Sequence, residues 1–220
     1  MRASLGAPML AGHYAAAYAL RSARPSVPLW QLFVAVQAVD IVFFVLALVG
    51  VETLAVNAGA RGPLAMNLVS VPYTHSLVMN VIYAVGVIVA GFLVRRTAIS
   101  VVIAAALFSH WALDVFVHTP DLPLTIAATT KIGLGLWRYP AAALLLETGL
   151  LLAGYALLRR TLSAARARRW ADIGAGLLVG AQAIYVLGPP PATVFQMAVA
   201  GEGIYVVMIV LAYQVDRYAR

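Results

Sequence analysis

Six apolar stretches, each about long enough to cross a bilayer, constrain this chain more than any other feature. They run roughly over 31–51, 75–94, 98–117, 140–158, 171–188 and 194–214. A transmembrane α-helix needs about 20 mostly apolar residues in succession. Proline and glycine break the chain between these stretches, at Pro25 and Pro28, Gly62-Pro63, Pro120 and Pro123, Pro140, and the run Pro189-Pro190-Pro191. The period-two alternation that an outer-membrane barrel requires is not seen. Charged residues make up 10% of the 220, against about 25% in a soluble domain. That excludes a water-soluble globule, a disordered chain and a nucleic-acid-binding domain. The expectation is an all-α fold, a polytopic transmembrane helical bundle, in a single integral-membrane domain over 1–220. Its first partner is the lipid bilayer.

Residues 3–20 are apolar but shorter. Pro8 suits the first turn of a helix, and Pro8 to Leu20 would then extend about 20 Å at about 1.5 Å per residue. That is too short to span alone. A signal peptide with Ala17-Tyr18-Ala19 as its small-residue cleavage site is the other reading. We expect a short N-terminal membrane helix tucked beside six spanning ones.

The net charge of +7 would suggest a polyanion partner in a soluble protein. Here the basic residues lie between apolar stretches, where they orient helices. Arg2, Arg21, Arg24, Arg95, Arg96, Arg159, Arg160, Arg166, Arg168, Arg169, Arg217 and Arg220 fall on one side, and Arg61, Lys131 and Arg138 on the other. The Arg-rich loop 159–170 is therefore expected to be cytoplasmic, with 52–74 and 118–139 facing outward.

Ionisable groups inside a bilayer are costly and need a partner or a purpose. All four histidines (His13, His75, His110, His118) and Asp40, Asp114, Glu147 and Glu202 lie in or at the ends of apolar stretches. The densest run is Ser109-His110-Trp111-Ala112-Leu113-Asp114-Val115-Phe116-Val117-His118. Its ionisable groups recur every fourth residue and share one helical stripe. A His/Asp pair so spaced can chelate one divalent ion. His110 and His118 would stand about 12 Å apart along a continuous helix, so they share an ion only if the helix ends before Thr119-Pro120. Rise per residue puts Asp40 about 15 Å into its span, and His75 opens the next span from the outer side. The groups can line one cavity in the middle and outer half of a bundle.

Imidazole and carboxylate donors in a chain without cysteine suit Zn²⁺, Mn²⁺ or Fe²⁺ better than Cu(I). A purely structural network, pairing Asp40 with His13 and Asp114 with His110, is the bland alternative. Glu147 and Glu202 are expected in buried pairs with an arginine, tyrosine or backbone group. Lys131 and Arg138 flank Gly133 and Gly135 and are weak candidates for a phosphate headgroup. Trp137 and Tyr139 read more simply as an interfacial anchor.

Taken in order, Gly12-His13, Asp40, Thr74-His75-Ser76 and Ser109-His110-x-x-x-Asp114 with Thr119-Pro120 and Pro123-Leu124 resemble a bacterial family of inner-membrane metal-dependent hydrolases, sometimes labelled permeases. The likeness covers about residues 12–124. It implies a metal centre built from His13, Asp40, His75, His110 and Asp114, with hydrolysis of an unidentified substrate, for which the depth of these groups favours a lipid or lipid-linked ester. In that reading His13, His75, His110 and Asp114 are ligands and the metal is expected to be zinc. Asp40 is a further ligand or the carboxylate orienting a histidine, and His118 is the general base or an extra ligand. The family usually carries a Pro-Asp-Ile-Asp-His type run where this chain has Asp40-Ile41-Val42-Phe43, and His118 is the candidate replacement. A proton- or cation-coupled transporter using the same cluster and a non-catalytic assembly subunit are the rival functions.

Overall fold

The computed structural model describes residues 11–57, 65–127, 129–189 and 191–219. Among them are seven helices: α1 (Ala11–Ala23), α2 (Leu29–Leu48), α3 (Leu77–Leu93), α4 (Thr97–Val117), α5 (Pro140–Thr161), α6 (Ala165–Leu187) and α7 (Val194–Tyr218). Pro8, Arg2, Arg61, Gly62-Pro63, Pro190 and Arg220 lie outside the described residues.

Five helices, α2, α4, α5, α6 and α7, are long and apolar enough to cross a membrane. α3 has 17 residues, about 26 Å at the usual rise, and is shorter. The packing is inverted relative to a soluble bundle. Val85, Phe92, Leu145, Ile184 and Val206 are among the exposed side chains, while Gln37, Asp40, His110, Asp114, Glu147 and Gln182 are buried. Apolar outside and polar inside is the arrangement that lipid rewards, and this is an α-helical membrane protein.

The all-α expectation holds, and two short strand pairs are added to the helices. The connections between α2 and α3 and between α4 and α5 each form a small antiparallel pair, β1 (Thr53–Val56) with β2 (Met66–Ser70), and β3 (Leu122–Pro123) with β4 (Lys131–Ile132). Short pairing satisfies backbone groups where the chain leaves its helices. The loop expected over 159–170 is also far shorter. α5 runs to Thr161 and α6 starts at Ala165, and Arg159 pairs with Asp172 across the hairpin at 3.0 Å.

α1 sits inside the bundle against α5, α2 and α4. Its run of alanines and one glycine lets neighbours approach, which is how helices associate where lipid tails remove the hydrophobic drive. Gly154 of α5 makes the contact possible, since a Cβ there would stand 2.5 Å from the Ala15 carbonyl oxygen. Tyr14 and Tyr18 of α1 meet Phe33 of α2 edge-on, at 4.7 and 5.3 Å between ring centroids. α2 packs on α7 and α4, and α3 chiefly on α4. The result brings α1, α2, α4 and the chain entering α3 around one point.

Candidate metal centre

Each polar group reaches that point for a local reason. His13 is carried in by buried α1, and Asp40 by the face of α2 that α4 and α7 cover. His75 precedes its helix: α3 starts at Leu77, two residues later than the apolar pattern suggested, because the Ser76 hydroxyl caps it by accepting from the Met79 N–H. His110 and Asp114 share one face of α4, which ends at Val117.

His118 lies just beyond, where the extended backbone turns its ring back toward Asp114. The loop following β4 holds this turn. Leu134 N–H donates to Val115 O at 2.7 Å and Gly135 N–H to His118 O at 2.6 Å, satisfying carbonyls the helix end leaves open. Gly133 passes so close that a Cβ would meet Thr119 O at 2.3 Å, and its φ of +153° suits glycine alone.

His13, Asp40, His75, His110, Asp114 and His118 are each at most 2% exposed. His13 Nε2 lies 3.3 Å from Asp114 Oδ1, and His118 Nε2 lies 3.6 Å from the same oxygen. His110 Nε2 is 3.2 Å from Asp114 Oδ2 and 3.5 Å from Asp40 Oδ1. His75 Nε2 is 3.3 Å from Asp40 Oδ1 and 4.0 Å from Asp114 Oδ2. The His13 and His110 rings stack with centroids 3.9 Å apart. Two triads close enough for one cation result, His13/His110/Asp114 and Asp40/His75/His110, sharing His110.

The outward nitrogens decide the chemistry. His110 Nδ1 lies 2.7 Å from Val36 O, and a carbonyl can only accept, so Nδ1 carries the hydrogen. His118 Nδ1 is 2.9 Å from Asp121 Oδ1. His75 Nδ1 is 2.8 Å from Thr74 Oγ1, whose own hydrogen goes to Glu52 Oε2, so His75 also donates from Nδ1. Three imidazoles therefore turn Nε2 inward, toward carboxylate oxygens. A lone pair facing a carboxylate is repulsive unless a second proton or a cation separates them.

Charge-assisted N–H···O bonds run about 2.7–2.9 Å, whereas ligand atoms about 2.0–2.2 Å from a tetrahedral cation stand about 3.3–3.6 Å apart. Four of the six inward separations fall in the second range, and none is as short as the first. His13 Nε2, His110 Nε2, His118 Nε2, Asp40 Oδ1 and both Asp114 oxygens are buried without a hydrogen-bond partner, which is what the donor set of a cation site looks like before the cation is counted. Burial works against the charged form of His118, but the Asp121 and Asp114 carboxylates outweigh it and hold its pKa above the ordinary imidazole value.

The bland pairing holds in part. Asp114 does face His110, but Asp40 meets His75 and His110. Lys131 donates to Val69 O at 3.0 Å and Leu68 O at 3.5 Å, tying β4 to β2, and Arg138 is exposed. Neither is among the converging groups. Trp137 is no interfacial anchor. It is fully buried, its ring centroid 4.2 Å from that of His118 and its Nε1–H donating to Glu147 Oε1 at 3.3 Å. Glu147 is paired as expected but with Trp137 and with Gln182, whose Nε2 lies 2.9 Å from Oε2. Glu202 is half-buried, with Oε1 unpaired.

Sequence reasoning missed Glu52, Asp121 and Tyr205, whose hydroxyl donates to Asp40 Oδ2 at 2.8 Å. Asp121 sits three residues from His118, a spacing that could have drawn attention. Nothing local distinguishes Tyr205 within α7. No model of a known protein family, no curated protein and no solved structure matches this chain.

Proposed function

We propose that this chain is a membrane-embedded metal-dependent hydrolase acting on a lipid or lipid-linked ester or phosphoester. The observation that carries the proposal is the convergence of buried imidazole and carboxylate atoms from α1, α2, α4 and the chain entering α3, those of α1, α2 and α4 being without a hydrogen-bond partner on their inward side. His13, His75, His110, Asp40 and Asp114 would hold the cation, and a nitrogen–oxygen donor set without thiolate suits zinc, with manganese or iron as alternatives. When bound, such a cation lowers the pKa of a water and polarises a phosphoryl or carbonyl oxygen.

His118 would accept a proton at Nε2. Its Nδ1–H is fixed on Asp121, so that the ring is oriented and its positive form stabilised. Thr119 Oγ1 donates to Asp121 Oδ2 at 3.2 Å and keeps that carboxylate in place. Tyr205 does the same for Asp40. Burial among apolar helices favours a substrate that reaches the site from the bilayer over a soluble polymer.

In this reading six helices span a bacterial inner membrane, α3 being the short one, and α1 is the seventh membrane element. The arginines between α5 and α6 then face the cytoplasm.

Metal content of the purified protein tests the site. Wild type should carry near-stoichiometric metal and His110→Ala, which belongs to both triads, almost none. Cleavage of a chromogenic phosphodiester and a chromogenic fatty-acid ester in mixed micelles tests the reaction, with His118→Ala expected to lose about 100-fold or more in rate while keeping metal. Equal metal in wild type and His110→Ala would sink the proposal. Cation leak in proteoliposomes without any product would favour transport.

A further inference from the structure

We propose that Glu52 and Thr74 form a proton-ordering relay that sets which nitrogen of His75 carries the ring hydrogen, leaving Nε2 free on the side of the metal centre. The inference rests on the metal reading above and extends it to a positioning carboxylate outside the bundle core. Glu52 stands immediately before β1, and it is 1% exposed although it belongs to a loop. Its Oε1 accepts from the backbone N–H groups of Tyr73 and Thr74, at 2.8 and 3.0 Å. Its Oε2 accepts from the Thr74 hydroxyl at 2.5 Å. The Thr74 oxygen, with its one hydrogen spent on Glu52, can only accept from His75 Nδ1, 2.8 Å away. The chain of donors runs in one direction, from His75 to Thr74 to Glu52, and leaves Nε2 free of hydrogen on the side of Asp40 and Asp114.

Carboxylates behind metal-ligating histidines fix the tautomer and raise ligand basicity. A threonine hydroxyl inserted between the two transmits the same preference one bond further. Replacing Glu52 by glutamine keeps an acceptor for the two backbone N–H groups. It also places an amide N–H against the Thr74 oxygen. The hydroxyl hydrogen is then released to turn toward His75 Nδ1, which would push the ring hydrogen to Nε2 and block coordination. Purely structural support from Glu52 predicts no such reversal.

The test uses the full-length protein in detergent with ¹⁵N-labelled histidine, apo and titrated with Zn²⁺ alone. The His75 signals are assigned by their loss in His75→Gln. In apo wild type the ¹⁵N shifts should report the Nδ1–H tautomer of His75, and in Glu52→Gln the Nε2–H tautomer. Zinc affinity should fall about 10–100-fold in Glu52→Gln. Thr74→Val should lose affinity comparably with Glu52 intact, and Thr74→Ser should restore both tautomer and affinity. An unchanged His75 tautomer in Glu52→Gln, with zinc still bound by wild type, would overturn the relay alone. A reversed tautomer with zinc affinity unaltered would overturn its role in coordination. A wild-type protein that binds no zinc, whatever its tautomer, would overturn the metal reading and this role with it.

Discussion

Four histidines and two aspartates make opposite demands on their two sides. Outward, the Nδ1 atoms of His110, His118 and His75 are held by Val36 O, Asp121 and Thr74, while His13 Nδ1 has no hydrogen-bond partner. Inward, Nε2 atoms crowd shared carboxylate oxygens at 3.2–3.6 Å. A cation and the second protons of these imidazoles compete for the same space, and cation entry expels the protons. The sign follows from His118, whose pKa is raised above the ordinary 6.5 in the cation-free protein. Its proton is fully present below that value and is lost as pH rises through the raised one. Zinc affinity should therefore climb as pH is taken upward from 6.5, and fall below it. His118→Asn should make the dependence shallower by about one proton. Competition with a chromophoric chelator at several pH values measures both, and a pH-independent affinity would contradict the argument.

α1 illustrates how an element of 13 described residues decides the site. It delivers His13 because alanines and Gly12 let it pass between longer helices, and Gly154 of α5 leaves no room to spare. Gly154→Ala should force α1 outward and cost about 1–3 kcal/mol as an overpacked contact. Thermal unfolding in detergent should show the loss, and zinc affinity should fall too, because His13 moves with its helix. The same substitution at Gly176, where a Cβ meets nothing within 4 Å, serves as the neutral comparison. Equal midpoints for the two variants would show that the α1–α5 contact yields without strain. The β1–β2 pair has a parallel role, since the chain entering β1 supplies Glu52 and the chain leaving β2 carries Thr74 and His75.

The molecule as a whole turns hydrocarbon outward and encloses a group of ionisable side chains, which have few ways to be neutralised. Arg21 meets Asp216 at 3.4 Å near the ends of α1 and α7, while the central carboxylates have no arginine or lysine within ion-pair distance among the described residues. A cation that binds only the folded bundle stabilises it, by about 2.7 kcal/mol at a free concentration 100-fold above its dissociation constant. Stripping the protein with a strong chelator should lower the unfolding midpoint, and zinc should restore it. His110→Ala should respond to neither. A midpoint indifferent to chelator in a protein shown to carry metal would rule out this coupling.

Hydropathy was readable along the chain because a span of lipid-facing helix is a local property. The six apolar stretches correspond to α2 to α7, and the four histidines, Asp40 and Asp114 within or beside them are all buried. What could not be read was who meets whom. Asp40 pairs with His75 and His110 and not with His13, Trp137 turns inward to Glu147, and Lys131 goes to β2 carbonyls. Each of these depends on the rotation of one helix against another or on where a loop folds back. Glu52 reads in the sequence like any loop acid, and only the hairpin brings it behind Thr74. Residue spacing ranks which groups share a stripe, but coordination requires atoms from distant segments to agree to within an ångström, and only the packed bundle imposes that.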